Sequence, residues 1–144
     1  MSNKAIGNRF EREMSKVLAE NGFWCHVMQQ NKAGQPADII AVKGRYHVLI
    51  DCKEMSDDRF EFYRAEENQR LAMQRFYERG RQIGWFALKL PDAEIRMLSF
   101  SRILFLEHDG RKSIGGPILT DCTWTLQEWL NDANWRAFDE NHNK

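Results

Sequence analysis

The 144 residues set 21 Lys and Arg against 21 Asp and Glu, a formal net charge of zero, with 42% hydrophobic and 12% aromatic content. That is enough apolar material for an ordinary core, which excludes a disordered chain, and the charge balance excludes coating of nucleic acid by bulk charge while allowing a local basic surface. Cys25, Cys52 and Cys122 are too few and too scattered for a disulfide framework or a zinc ribbon, and neither a membrane span nor a signal peptide is visible. A single domain over residues 1–144 of a cytoplasmic, reduced protein is expected.

In chain order, Ile6, Phe10, Met14, Val17 and Leu18 predict a helix over 5–21, stopped at Asn21-Gly22. Phe23 to Gln29 reads as a strand and Asn31 to Gln35 as a loop. Residues 36–54 read as a hairpin turning at Gly44-Arg45, apolar on both faces and therefore central in a sheet. Met55 to Arg64, rich in charge, is expected to be an exposed connection. A second helix over 65–80 ends at Gly80, and Ile83 to Leu90 and Glu94 to Phe100 read as strands. Ser101 to Leu106 is a short helix or a strand, with turns at Asp109-Gly110 and at Gly115-Gly116-Pro117. Thr125 and Glu128 have capping-box spacing at the start of a C-terminal helical segment, about 124–138, and the tail from Asp139 is expected to fray. The order implies an α/β fold with a central mixed β-sheet flanked by helices.

Counting outward from a two-residue turn sets Asp38 opposite Asp51, with Cβ atoms roughly 4.5–5.5 Å apart. Alternation puts Lys53 beside Asp51, while Ile50 and Cys52 point the other way. Two adjacent carboxylates repel unless a cation lies between them. An oxygen-only site of this kind suits Mg²⁺, with Mn²⁺ as a substitute, and one or two ions fit the pattern equally. With a lysine alongside, such a site suits hydrolysis of a phosphodiester. Glu11 lies on the flank of the first helix's apolar stripe, able to reach the end of a sheet below it. Gln69 falls within the apolar face of the second helix, where a buried amide either bonds core backbone or borders the site. His26 and His47 lack partners at useful spacing and read as structural. The five tryptophans read mainly as packing residues, with base stacking the alternative. Lys4, Arg9, Arg12, Lys32, Arg111 and Lys112 are candidate DNA contacts, as are Lys16 and the arginines of the second helix.

Pro36-x-Asp38 with Asp51-x-Lys53, behind a helix carrying Glu11, resembles the PD-(D/E)xK nuclease superfamily. Gly7-Asn8-Arg9-Phe10-Glu11, Asp51-Cys52-Lys53-Glu54, Gln69 and Gly110-Arg111-Lys112-Ser113-Ile114 resemble RecU-type Holliday junction resolvases, a likeness running from Gly7 to Ile114. The resemblance implies the restriction-endonuclease-like fold and an Mg²⁺-dependent homodimer that nicks two strands of branched DNA. It implies that Glu11, Asp38 and Asp51 bind metal, that Lys53 serves the transition state, and that Gln69 supports the site or a phosphate. Two departures stand out: Asp51 replaces the usual Glu, and the minimal hairpin leaves no room for the junction-engaging stalk of that group. Both suit a phage or bacterial relative of compact form. A restriction or repair endonuclease on other DNA is the alternative enzyme, and a non-catalytic DNA-binding module of the same fold is the alternative from another class.

Overall fold

The computed structural model describes residues 3–28 and 37–138, without the side chains of 3–8. Pro36, the loop with Lys32 and the tail from Asp139 therefore lie outside the described residues. Helix α1 (Asn3–Glu20) buries Phe10, Met14 and Leu18 along one stripe. Strands β1 (Trp24–Val27), β2 (Ile39–Lys43) and β3 (Tyr46–Glu54) follow as an antiparallel meander. The turn is the two-residue one counted from the sequence: Lys43 pairs with Tyr46 and Val42 with His47.

The segment after β3 differs from the expected exposed connection. It forms strand β4 (Arg59–Glu61) and a 3-10 turn over Phe62–Arg64, and Met55, Phe60, Phe62 and Ala65 are all buried. Helix α2 (Glu67–Gly80) then leads to β5 (Trp85–Lys89), which pairs parallel to β3. Parallel neighbours need a crossover, and α2 with its lead-in supplies it. Strand β6 (Ile95–Ser99), helix α3 (Phe100–His108), strand β7 (Ser113–Gly115), helix α4 (Gly116–Cys122), strand β8 (Trp124–Thr125) and helix α5 (Leu126–Phe138) complete the chain. The six-stranded sheet runs β1-β2-β3-β5-β6-β8, mixed in direction, and β4 pairs with β7 in a separate ribbon that the sequence reading missed. Among the described residues, no helix is long and apolar enough to cross a membrane.

Helices cover both sheet faces. Phe10, Met14 and Leu18 of α1 and Trp129 of α5 meet Ile39, Val48 and Ile50 on one side. Met73 of α2, Phe60 and Ile103 meet Leu49, Phe86 and Leu88 on the other. Strand alternation thus sends Ile50 and Cys52 toward α1 and the odd-numbered residues of β3 toward α2. Helix α2 ends at Gly80 as expected, and Arg81 takes the left-handed cap at φ +60. The expected capping box is present: Thr125 N–H donates to Glu128 Oε1 (2.8 Å) and Glu128 N–H to Thr125 Oγ1 (3.1 Å).

The hairpin turn is held from outside as well. Gly44 has φ +56, a Cβ there would stand 2.5 Å from the Ala137 carbonyl oxygen, and Arg45 N–H donates to that same oxygen at 3.2 Å. Gly44→Ala should therefore cost about 1–3 kcal/mol, through backbone strain and a clash that only movement of α5 relieves. A urea midpoint equal to wild type would show that α5 does not clamp the turn.

Candidate active site

The last ladder pair of the hairpin is Ile39 with Ile50, and at Asp38 the strand departs from the register that counting gives. Asp38 N–H donates to the Ile50 carbonyl at 3.1 Å, so Asp38 and Ile39 both oppose Ile50. Such a bulge re-aims a side chain. Here the Asp38 carboxylate swings across the gap and accepts the Cys52 N–H at 2.7 Å. Asp38 is thus not the ladder partner of Asp51, yet the two carboxylates still lie close enough to repel.

Asp51 is 1% exposed and faces α2. Its Oδ1 accepts from Gln69 Nε2 at 3.0 Å. Its Oδ2 is ion-paired with Lys53 Nζ at 3.0 Å and is buried. Gln69 thus joins the two alternatives that its place on an apolar face leaves open, meeting Asp51 with one end and backbone with the other. Its Oε1 accepts the N–H of Glu66, the N-cap of α2, at 3.0 Å. Glu66 is exposed, as expected, and also has this capping role. Glu11, 7% exposed, brings its carboxyl from α1 to that of Asp38.

The carboxyls of the site crowd one another. Burial and then the Asp38 charge push Asp51 up to about 8, with Lys53 offsetting part of the rise. Burial and then Asp38 push Glu11 up to about 7. A buried carboxylate oxygen whose one charged neighbour is Lys53, in an oxygen-only donor set, fits a hard divalent cation. Among the described residues no three His, Cys, Asp or Glu side chains stand ready as a complete ligand cage.

Beside Lys53 opens a cleft of about 630 Å³, lined also by Arg64, Met55 and Lys89. Arg64 and Lys89 went unnoticed in the sequence; the available signal was a lysine closing an apolar strand run. Lys89 Nζ pairs with Glu13 of α1 at 2.5 Å, and Arg64 donates to the Glu54 carbonyl at 3.0 Å. Of the candidate DNA contacts, Arg9 and Arg12 are exposed on α1. Arg111 and Lys112 are exposed before β7, where the Lys112 carbonyl accepts the Phe62 N–H. The Lys4 side chain and Lys32 lie outside the described residues. His47 packs edge-on against Phe76 and His26 stacks on Trp24, both away from the carboxylates in the chain's pairing.

The raised carboxyls fix how stability varies with pH. The folded protein holds protons on Asp51 and Glu11 that the unfolded chain releases near pH 4, so their contribution to stability is full below about pH 4 and is lost as pH rises toward about 8. In EDTA, Tm should fall between about pH 5 and pH 8. Mn²⁺ should raise Tm more at the upper end, and Asp51→Asn should flatten the slope. A Tm in EDTA that climbs over this range would contradict the assignment.

The family model for archaeal Holliday junction resolvase (Hjc) matches residues 2–119. Among solved structures, Hjc of Archaeoglobus fulgidus, a Holliday junction resolvase from an archaeal hyperthermophile, matches with a TM-score of 0.68 at 21% identity, covering 86% of this chain and 99% of that one. That likeness establishes the fold, a mixed sheet flanked by helices. No curated protein matches. The RecU-type resemblance is therefore only approximate, and the match gives no support to a phage or bacterial type. Over four-fifths of its length, the chain belongs to the archaeal Holliday junction resolvase family.

Proposed function

We propose that this protein is a structure-specific endodeoxyribonuclease that hydrolyses phosphodiesters in four-way DNA junctions, acting as one nuclease domain and depending on Mg²⁺ or, in its place, Mn²⁺. The observation that carries the reading is the convergence of Asp38, Asp51, Lys53 and Gln69 at one end of the β2–β3 hairpin in a chain of the resolvase family. Asp38 and Asp51 would hold the ion, with Glu11 closing the site from α1. When bound, the ion supplies positive charge at a phosphoryl oxygen and acidifies a water. Lys53 is then freed from Asp51 to meet the phosphoryl oxygen that gains charge in the transition state. Burial of Asp51 keeps this flank of the site dry, where fixed charges act more strongly than in water. Arg64 and Lys89 in the cleft, with Lys4, Arg9, Arg12, Lys32, Arg111 and Lys112 outside it, would contact backbone phosphates.

A junction is cut in two symmetric strands, which calls for two active sites related by a twofold axis. An uncovered face supports a second copy. By the strand register Trp24, His26, Ile40, Val42, His47 and Leu49 share one side of the sheet. Helix α2 covers only its inner part, leaving Trp24 63% exposed beside an apolar groove lined by Ile40, Leu49, Ala72 and Phe76. This face is the proposed dimer contact.

The deciding assay is Mg²⁺-dependent cleavage of a synthetic four-way junction beside linear duplex, flap and single-stranded controls. Paired symmetric nicks are expected, while indiscriminate nicking of linear duplex would reject junction specificity. Asp51→Asn and Lys53→Ala should each cut at least about a hundredfold more slowly while still binding the junction in Ca²⁺. Unchanged cleavage by either variant would sink the site. Trp24→Glu should shift sedimentation from dimer to monomer and uncouple the two nicks; a dimer unmoved by it would place the contact elsewhere.

A further inference from the structure

A carboxamide has one donating end and one accepting end, and at Gln69 both are committed. The Glu66 backbone N–H can only donate, so the oxygen of Gln69 must face it, at 3.0 Å. The Nε2 group is thereby turned toward Asp51 Oδ1, also at 3.0 Å, and Gln69 is itself 7% exposed. An amide nitrogen cannot accept, so Oδ1 of Asp51 must. Oδ1 is thereby engaged by the amide, and Oδ2, buried and ion-paired with Lys53 at 3.0 Å, is the oxygen the amide leaves for a cation. We infer that Gln69 is a positioning residue, oriented by the first turn of α2, that locks Asp51 in one rotamer and reserves Oδ2 for the cation. The inference rests on the reading of Asp51 as a metal ligand and deepens it. It makes the N-cap of α2 part of the site's preorganisation. It also gives a reason for the short acid at position 51, since the distance between β3 and the Gln69 amide is already filled by an Asp.

The test is Mn²⁺ titration calorimetry on the full chain, with Tm in EDTA and cleavage across Mn²⁺ concentrations as companion readouts. Gln69→Met keeps the length and removes the donor. It should weaken Mn²⁺ binding about ten- to hundredfold, the range found when a ligand's orienting partner is lost. Cleavage should recover at high Mn²⁺, which a misfolded site would not do. Glu66→Pro suits the backbone at φ −71 and removes the N–H that orients the amide together with the Glu66 side chain that caps the Gln69 N–H, so Glu66→Ala, which keeps the backbone N–H, is its control. Glu66→Pro should weaken Mn²⁺ binding by less than Gln69→Met does, with Gln69 still present. Gln69→Met that binds Mn²⁺ like wild type, or whose loss persists at saturating Mn²⁺, overturns the positioning role. Wild type that binds no Mn²⁺ overturns the metal reading and this inference together. Wild type that binds Mn²⁺ yet leaves four-way junctions intact refutes only the proposed substrate, and the affinities still decide the role of Gln69.

Discussion

Asp51 sits at 1% exposure beside a second carboxylate, and the surroundings compensate only part of that cost. Lys53 ion-pairs with one oxygen, and Gln69 bonds the other. Burying a carboxylate against a like charge is tolerated when a proton or a cation makes up the balance. Proton retention is one way to meet that cost, and it accords with the raised Asp51 and Glu11. A divalent ion, as proposed, would be the other, held by Asp38 and Asp51. The rest of the architecture follows from keeping this unstable cluster in place. The hairpin brings the two acids to one end, α1 brings a third, and α2 caps the cluster with an amide.

The parallel pairing of β3 and β5 is what makes the amide available. It forces the chain to cross the sheet between the two strands, and the crossing helix lands on the face toward which Asp51 points. The same crossing brings the 3-10 turn and Arg64 to the rim of the cleft, while β5 ends with Lys89 on its other side. Three elements far apart in sequence therefore border one opening. The bulge at Asp38 completes the arrangement by exchanging a ladder hydrogen bond for one from the Cys52 N–H to the carboxylate. That exchange satisfies the backbone and aims the acid in a single step.

Local signals in the sequence carried the features governed by local rules. Period-two alternation and a two-residue turn gave the hairpin register through Ile39 and Ile50, and helical periodicity gave Glu11 its flank position. Gln69 was visible as a contradiction, a polar group on an apolar face, but only tertiary packing could tell that Asp51 was its partner. The segment 55–64 was misread because Ser56, Asp57, Asp58, Arg59, Glu61 and Arg64 outweighed Phe60 and Phe62 in composition. The alternation of those two phenylalanines was the overlooked clue, and their burial needed the partner strand β7, some fifty residues on. The bulge had no sequence signal in a count that assumes an unbroken ladder. Arg64 and Lys89 were missed for the same reason as β7, because a cleft is a long-range object.

A net charge of zero also takes on a physical sense once the charges have places. Bulk attraction to a polyanion scales with net charge and is lost as salt rises. A neutral protein gains little from it, so the proposed binding would rest on a few phosphates met at fixed positions. The cations at the cleft are restrained in this way: Lys89 by Glu13, Arg64 by the Glu54 carbonyl and the Phe60 ring, Lys53 by Asp51. Held side chains give up less rotamer freedom on meeting a phosphate than free ones do. They also discriminate by geometry, since a phosphate that does not reach the cleft gains nothing. Balanced charge with anchored cations thus favours recognition by shape over recognition by charge, which is the selectivity a junction-directed nuclease needs amid an excess of ordinary duplex.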